Sequence, residues 1–154
     1  MVLNALRGKP LPVYGDGRNI RDWLYVGDHC SAIRAVLGNG RPGEVYNIGG
    51  ASERANIEVV QAICSILDRL KPREDGSGYS TLVSHVKDRP GHDRRYAVDA
   101  GKISREIGWK PAESFDSGLK KTVEWYLHNP QWIAGIESGG YQRWMDANYG
   151  ARDQ

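Results

Sequence analysis

Residues 11–33 read LPVYGDGRNIRDWLYVGDHCSAI, and the fold turns on how they are read. Residues 11–14 are a short apolar run ending in a tyrosine, and 20–26 are a second run with apolar and aromatic residues. Between them GDGRN supplies glycine, aspartate and asparagine, the residue types that turn a chain. Asp28 then stands as a predicted N-cap, and Ala32, Ile33, Val36 and Leu37 share one helical face that stops at Gly38. Strand, turn, strand and helix in so short a span predict a mixed α/β protein.

The same alternation continues outward. Upstream, Val2, Leu3, Ala5 and Leu6 give a short helix stopped by Gly8. Downstream, EVYNIGG (44–50) reads as a short buried strand closed by glycines. Asn56 is predicted to cap a long helix, with Ile57, Val60, Ile63, Leu67 and Leu70 at helical spacing. A polar loop at 72–78 leads to short predicted strands at 81–86 and 94–98. Asp99 caps a helix that carries Ile103 and Ile107 and ends at Gly108. FDSGLKKTVEWYLHNP (115–130) is another helix, with Asp116 at its cap, Phe115 as a staple and Pro130 at its end. Trp132, Tyr141, Trp144 and Tyr149 fall on short helices of the tail. No internal repeat or linker interrupts 1–154, so one domain is expected.

Composition narrows the function. The chain has 154 residues, enough for one modest core. Its net charge of +2 is spread along the chain, which argues against a nucleic-acid partner. No run of about 18 apolar residues occurs, so no membrane partner is expected. The opening residues lack the apolar segment and small-residue cleavage site of a signal peptide. Cys30 and Cys64 have no metal-like spacing and read as ordinary buried thiols of a reducing compartment, so a cytoplasmic location is expected.

Catalytic motifs are missing. A dinucleotide-binding turn needs G-x-G-x-x-G, which lets the backbone approach a pyrophosphate. Gly15 and Gly17 begin that spacing, but Ile20 holds the third position. No tyrosine has a lysine four residues later. There is no G-x-S-x-G, no P-loop lysine and no metal cluster, and His29, His85, His92 and His128 are scattered.

Anion-binding residues are present instead. DRPGHDRRY (88–96) crowds Arg89, Arg94 and Arg95 beside His92. Arg89 precedes Pro90-Gly91, a turn that can aim a side chain into a cleft. A guanidinium fork suits phosphate through two parallel charge-assisted hydrogen bonds. Arg94 and Arg95 point opposite ways along a strand, so at most one can join Arg89. A salt-bridged surface loop is the competing reading of Arg89, and pairing with Asp22 or another acid is that of Arg21. Asn56 is most simply a helix cap.

Five segments then carry a resemblance: LPVYGDGRNIRDWLYVGDHCSAI, GEVYNIGG, NIEVV, DRPGHDRRYAVDAGKISREIGWKP and TVEWYL. Together with the tail SGGYQRWMDANYG, they resemble the C-terminal part of the dTDP-glucose 4,6-dehydratase family, within the extended short-chain dehydrogenase/reductase superfamily. DRPGHDRRY combined with KISREIGWKP is the most specific of these signals. The resemblance covers essentially all 154 residues but less than half of a family member. It implies an α/β substrate-binding lobe without its NAD-binding Rossmann part. The VGDHCSAI helix and the EVYNIGG strand are the elements expected to dock on that Rossmann sheet.

The resemblance also implies a reaction and a site. NAD takes hydride from C4 of the glucose, water leaves across C5 and C6, and the hydride returns at C6. Arg89 would lie on the substrate pyrophosphate with His92 close by, in the loop of Asp88, Pro90 and Gly91. Arg21 matches the other phosphate-binding arginine. Pro12, Val13 and Tyr14 match the strand whose edge meets the thymine, Asn56 a nucleotide-side contact, and Tyr149 a contact near the sugar. The catalytic tyrosine, lysine and acids belong to the front part of the family, so no catalytic or metal-binding residue is assigned here. The chain by itself is expected to be inactive and to hold no NAD. Its expected partners are dTDP-glucose, the Rossmann part and, as a family homodimer, a second copy. The alternatives are a non-catalytic nucleotide-sugar binding or partner module, and a related UDP-sugar epimerase or dehydratase.

Overall fold

The structure, a computed structural model, describes residues 1–140. In chain order its elements are α1 (Val2–Leu6), β1 (Leu11–Tyr14), β2 (Ile20–Asp22), α2 (Val26–Asn39), β3 (Glu53–Ala55) and α3 (Asn56–Leu70). A 3₁₀ turn (Tyr79–Leu82) follows, then β4 (Val83–Val86), β5 (Arg95–Tyr96), α4 (Gly101–Ile107), α5 (Phe115–His128) and α6 (Pro130–Glu137). The predicted mixed α/β class holds.

The LPVY run forms β1 because alternation puts Leu11 and Val13 on the core side and Pro12 and Tyr14 on the other. β1 pairs in parallel with β4, Val13 opposite His85 and Tyr14 opposite Val86. A parallel pair needs a long crossover, and α3 supplies it. Its Val59, Val60, Ile63, Cys64, Ile66 and Leu67 are all buried. Each large apolar side chain so buried contributes roughly 1.5–3 kcal/mol. Tyr79 locks the return: its hydroxyl donates to the Lys71 carbonyl, and its amide donates to Asp68.

The second sheet has the order β3-β2-β5, antiparallel between β2 and β3 and parallel between β2 and β5. The predicted strand at 20–26 is cut to Ile20–Asp22. The Asp22 carboxylate accepts from the amides of Gly50 and Ser52, and the Trp23 amide donates to the Ser52 carbonyl. These bonds draw the chain out of the ladder. They also explain why EVYNIGG is not the buried strand expected: its glycines wrap Asp22, residues 44–50 have no regular structure, and Val45 is exposed.

Three predicted caps are corrected. α2 opens after Tyr25, not Asp28. Asp28 is buried in the first turn, where Oδ2 accepts from the Glu113 amide. α3 opens after Ala55, whose amide donates to Glu58 Oε2 at 2.7 Å. Asn56 is the first helical residue because its amide is taken by the Asn19 carbonyl. At α5, Ser114 Oγ accepts from the Ser117 amide, and Asp116 sits in the first turn, favourable against the helix dipole. The Asp99 carboxylate does accept from the first amide of α4, at 2.7 Å. Gly108 ends that helix in the left-handed conformation, as expected. Cys30, expected buried, is exposed on α2. Val26, Ile33 and Leu37 of the same helix are exposed too.

The chain divides into two compact units, Met1–Val123 and Glu124–Gln154. In the second, Trp125 meets Tyr126 and Trp132 edge-on at 5.4 and 4.9 Å, and Asn129 Nδ2 donates to the Trp125 carbonyl. Tyr141, Trp144 and Tyr149 lie outside the described residues. No helix among the described residues is long and apolar enough to cross a membrane.

Gly17 and Gly38 should respond oppositely to alanine. Gly17 has φ +71°, and a Cβ there would lie 2.7 Å from Val13 Cγ1 and 2.9 Å from Ile57 Cβ. Gly38 is helical, with open space where a Cβ would go. Gly38→Ala should raise stability by roughly 0.5–1 kcal/mol, and Gly17→Ala should lower it by more than that. Thermal melts of the two variants check the opposite signs.

Candidate anion-binding site

The segment 88–95 leaves the end of β4, turns at Gly91 and returns as β5 beside β2. Two of its three arginines are neutralised. Arg94 makes a fork on Asp16 of the glycine turn, with Nη1 2.8 Å from Oδ1 and Nη2 3.1 Å from Oδ2. Arg95 forks Glu53 of β3 at 2.8 and 2.6 Å. Both forks are engaged with acids, so these two residues fasten the loop to the glycine turn and to β3.

Arg89 is exposed, and no carboxylate of the described residues lies within ion-pair distance of it. Its guanidinium sits over the Tyr14 ring, 5.4 Å from the centroid. His92 meets the same ring edge-on at 6.3 Å. Its side chain is only 5% exposed, and Nδ1 lies 2.7 Å from Asp88 Oδ1. Asp88 Oδ1 also accepts from the Arg89 amide.

Arg21 is likewise spared. Asp22, its expected partner, is occupied by Gly50 and Ser52. The Arg21 guanidinium donates instead to the carbonyls of Ile20 and Asp93, at 2.7 and 3.0 Å. Asn19, 2% exposed, sends Nδ2 to the same Asp93 carbonyl at 3.1 Å. Its Oδ1 is buried with no hydrogen-bond partner among the described residues. The Ile20 amide donates to the Arg94 carbonyl, so the loop is stitched to β2.

Arg54 of β3 stands directly across from Arg21 and lies over the Phe115 ring. Like charges in that relation are unfavourable unless an anion comes between them or near them. Tyr96 is the parallel neighbour of Arg21 on β5. Arg21 and Tyr96 line a cavity of about 370 Å³ with Leu24, His29, Ile48 and Val98. Sequence reasoning missed Arg54 and Tyr96. Only strand register brings them to Arg21, and nothing in their local sequence marks it.

Of the other predicted site residues, Pro12 and Tyr14 share the face of β1 turned from the core, and Asn56 is half-buried at the start of α3. Val13 packs its side chain into the core, so it can offer a ligand only backbone. Pro90 and Gly91 form the turn itself, with Gly91 at φ +69°. Tyr149 lies outside the described residues. No cluster of potential metal ligands occurs among the described residues.

The family model described as GDP-mannose 4,6 dehydratase matches residues 1–122. The chain belongs to the GDP-mannose 4,6 dehydratase family. Among curated members that resemble it, the dTDP-glucose 4,6-dehydratase of Salmonella typhimurium is 57% identical over 99% of this chain. That of Xanthomonas campestris is 58% identical over 92%. The chain spans 42% and 40% of those relatives' lengths. A solved dTDP-glucose 4,6-dehydratase from Bacillus anthracis, in complex with NAD, superposes with TM-score 0.73 at 51% identity. The match covers 85% of this chain and 39% of that one. UDP-glucose 4-epimerase from Thermotoga maritima, solved with UDP-glucose, gives TM-score 0.72 at 28% identity over 82% of this chain and 38% of that one.

The family's NAD does not fit the glycine turn seen here. That turn leads into β2 and not into a helix. Its glycines are also filled from within: the Asp88 carboxylate lies 3.0 Å from a Cβ position at Gly15, and Val13 and Ile57 crowd Gly17. A carboxylate at that point would repel a pyrophosphate.

The Arg94 fork, helped by the Arg18 amide, holds the Asp16 carboxyl down to about 2. A carboxyl that titrates lower folded than unfolded stabilises fully above about pH 4 and loses that contribution as pH falls toward about 2. The parent should therefore lose stability relative to Asp16→Asn across that window. Denaturant midpoints taken at several pH values check this, and parallel curves would show that the fork does not persist in solution.

Proposed function

We propose that this chain is the nucleotide-sugar binding part of a dTDP-glucose 4,6-dehydratase, the lyase that converts dTDP-glucose to dTDP-4-keto-6-deoxyglucose and water. One observation carries the reading: in a cluster of arginines where Arg94 and Arg95 are neutralised by Asp16 and Glu53, Arg21 and Arg89 have no carboxylate partner among the described residues. A guanidinium without a carboxylate keeps its fork for the two parallel charge-assisted hydrogen bonds of a phosphate, so two spared guanidiniums suit an anion that arrives from outside. The relatives in this family, named for dTDP-glucose, support the choice of that anion.

The parts take the following roles. Arg89 and Arg21 hold the diphosphate, with His92 beside them and Asp88, Pro90 and Gly91 shaping the loop. Tyr14 and Pro12 offer a face, and Val13 a backbone edge, to the thymine. Among the described residues β1 has a strand partner on one edge, β4, and the other edge is the one assigned to the base. Asn56 makes no side-chain hydrogen bond among the described residues and faces the nucleotide, and Tyr149 reaches the sugar end. Residues 1–154 act as one substrate-binding part of a larger cytoplasmic enzyme. Its NAD is bound by a Rossmann part, and its working form is a homodimer. A uridine diphosphate sugar is the second candidate, since the Thermotoga maritima relative was solved with UDP-glucose.

Titration with dTDP tests the assignment. Arg89→Ala should cost roughly 1.5–3 kcal/mol, or about 10- to 150-fold in affinity. Arg21→Ala should behave similarly, and Arg89→Lys should recover part of the loss, because an ammonium keeps the charge without the fork. Arg105→Ala, on α4, should change little. Equal affinity of parent and Arg89→Ala for dTDP would make Arg89 a surface residue and end this reading. Tighter binding of UDP than of dTDP would select the second candidate.

A further inference from the structure

Asp88 is out of place among phosphate ligands. A carboxylate accepts hydrogen bonds and cannot donate them, and its charge repels a diphosphate. Its geometry gives it other work. Oδ1 accepts from the Arg89 amide at 2.8 Å and lies 2.7 Å from His92 Nδ1. Oδ2 is turned toward Gly15, 3.0 Å from the position a Cβ would take. The hydrogen bond from His92, then that from the Arg89 amide, holds the Asp88 carboxyl below its ordinary value, so it is ionised wherever the protein is near neutral pH.

An ionised carboxylate at 2.7 Å fixes the histidine tautomer. Oδ1 can only accept, so Nδ1 must carry a proton. That leaves Nε2 as the nitrogen free to meet a ligand, and it has no hydrogen-bond partner among the described residues. The ring cannot turn away easily. It is 5% exposed and stands edge-on to Tyr14, whose ring carries Arg89 at 5.4 Å. The His92 amide donates to the Arg89 carbonyl across the turn, which closes the unit.

We infer that Asp88 is a positioning residue for the diphosphate site: it accepts from His92 Nδ1–H and so aims Nε2 at the phosphate, to which Nε2–H donates when the ring carries both protons, and it fixes the turn that carries Arg89. The inference rests on the diphosphate reading above. It separates roles that the loop sequence presents as one, because Arg89 and His92 touch the anion and Asp88 does not.

The test uses the full chain labelled with ¹⁵N. Imidazole nitrogen shifts of His92 report which nitrogen is protonated, and dTDP titrations report affinity. The parent should show Nδ1 protonated before any ligand is added. Asp88→Asn should relax that tautomer preference and weaken dTDP binding by about tenfold, the order of one charge-assisted hydrogen bond. Asp88→Glu keeps the charge but moves it by one methylene, and should recover part of the tautomer preference. A parent whose ring carries its proton on Nε2 with Nδ1 bare overturns the proposal, whether or not the variants fold. So does Asp88→Asn with unchanged dTDP affinity when Arg89→Ala weakens it. If Arg89→Ala leaves affinity unchanged as well, the diphosphate reading itself has failed. A tautomer shift in Asp88→Asn together with weakened binding supports both.

Discussion

The main-chain carbonyl of Asp93 accepts one hydrogen bond from Asn19 Nδ2 and one from Arg21 Nη2, and the site depends on that shared acceptor. It joins the arginine loop to β2 at the point where the loop returns as β5. A free arginine side chain carries about 2 kcal/mol of rotamer entropy. Donation to Asp93 and to Ile20 gives up that freedom before any ligand arrives, which is the preorganisation an anion site needs. Asn19 ties in a third segment, because its own carbonyl accepts the Asn56 amide at the start of α3. Loop, strand and helix thus meet at one buried asparagine.

Charge pairing divides the surrounding arginines into two kinds. Arg94 and Arg95 are spent on Asp16 and Glu53, both at the surface, where ion pairs add little to stability. Their effect is geometric: each fork fastens one end of a strand or turn at a definite distance. Arg21 and Arg89 are left over, and Arg54 adds a third guanidinium across the sheet. Unfavourable details gather in the same place. They include like charges opposite one another, an exposed tyrosine ring under a guanidinium, and a buried Asn19 Oδ1 with no partner among the described residues. Local rules are broken where a site is built, and the cost is offset by the core of β1 and α3 beneath it.

Much of this was legible in the residues. α3 followed from Ile57, Val60, Ile63 and Leu67, since helical spacing of apolar side chains is a local property that burial then rewards. β1, α4 and α5 followed from local residue pattern too, and so did the placing of DRPGHDRRY in a turn-containing loop. The caps were harder. Asp28 and Asn56 are good capping residues, but backbone groups distant in sequence reached them first: Glu113 binds the Asp28 carboxylate, and Asn19 takes the Asn56 amide. EVYNIGG has a strand's composition, yet Asp22 bends its glycines around a carboxylate, and no local propensity can foresee that.

The sequence by itself therefore determined the class of the fold, its main helices and the arginine-rich composition of the 88–96 loop, because those rest on periodicity and residue type within a short window. Which arginines meet a carboxylate among the described residues was decided only by tertiary structure. Arg21, Arg89, Arg94 and Arg95 are chemically the same side chain. An acid either comes within reach through strand register and turn geometry or it does not, and that distance is set by parts of the chain as far apart as Asp16 and Arg94.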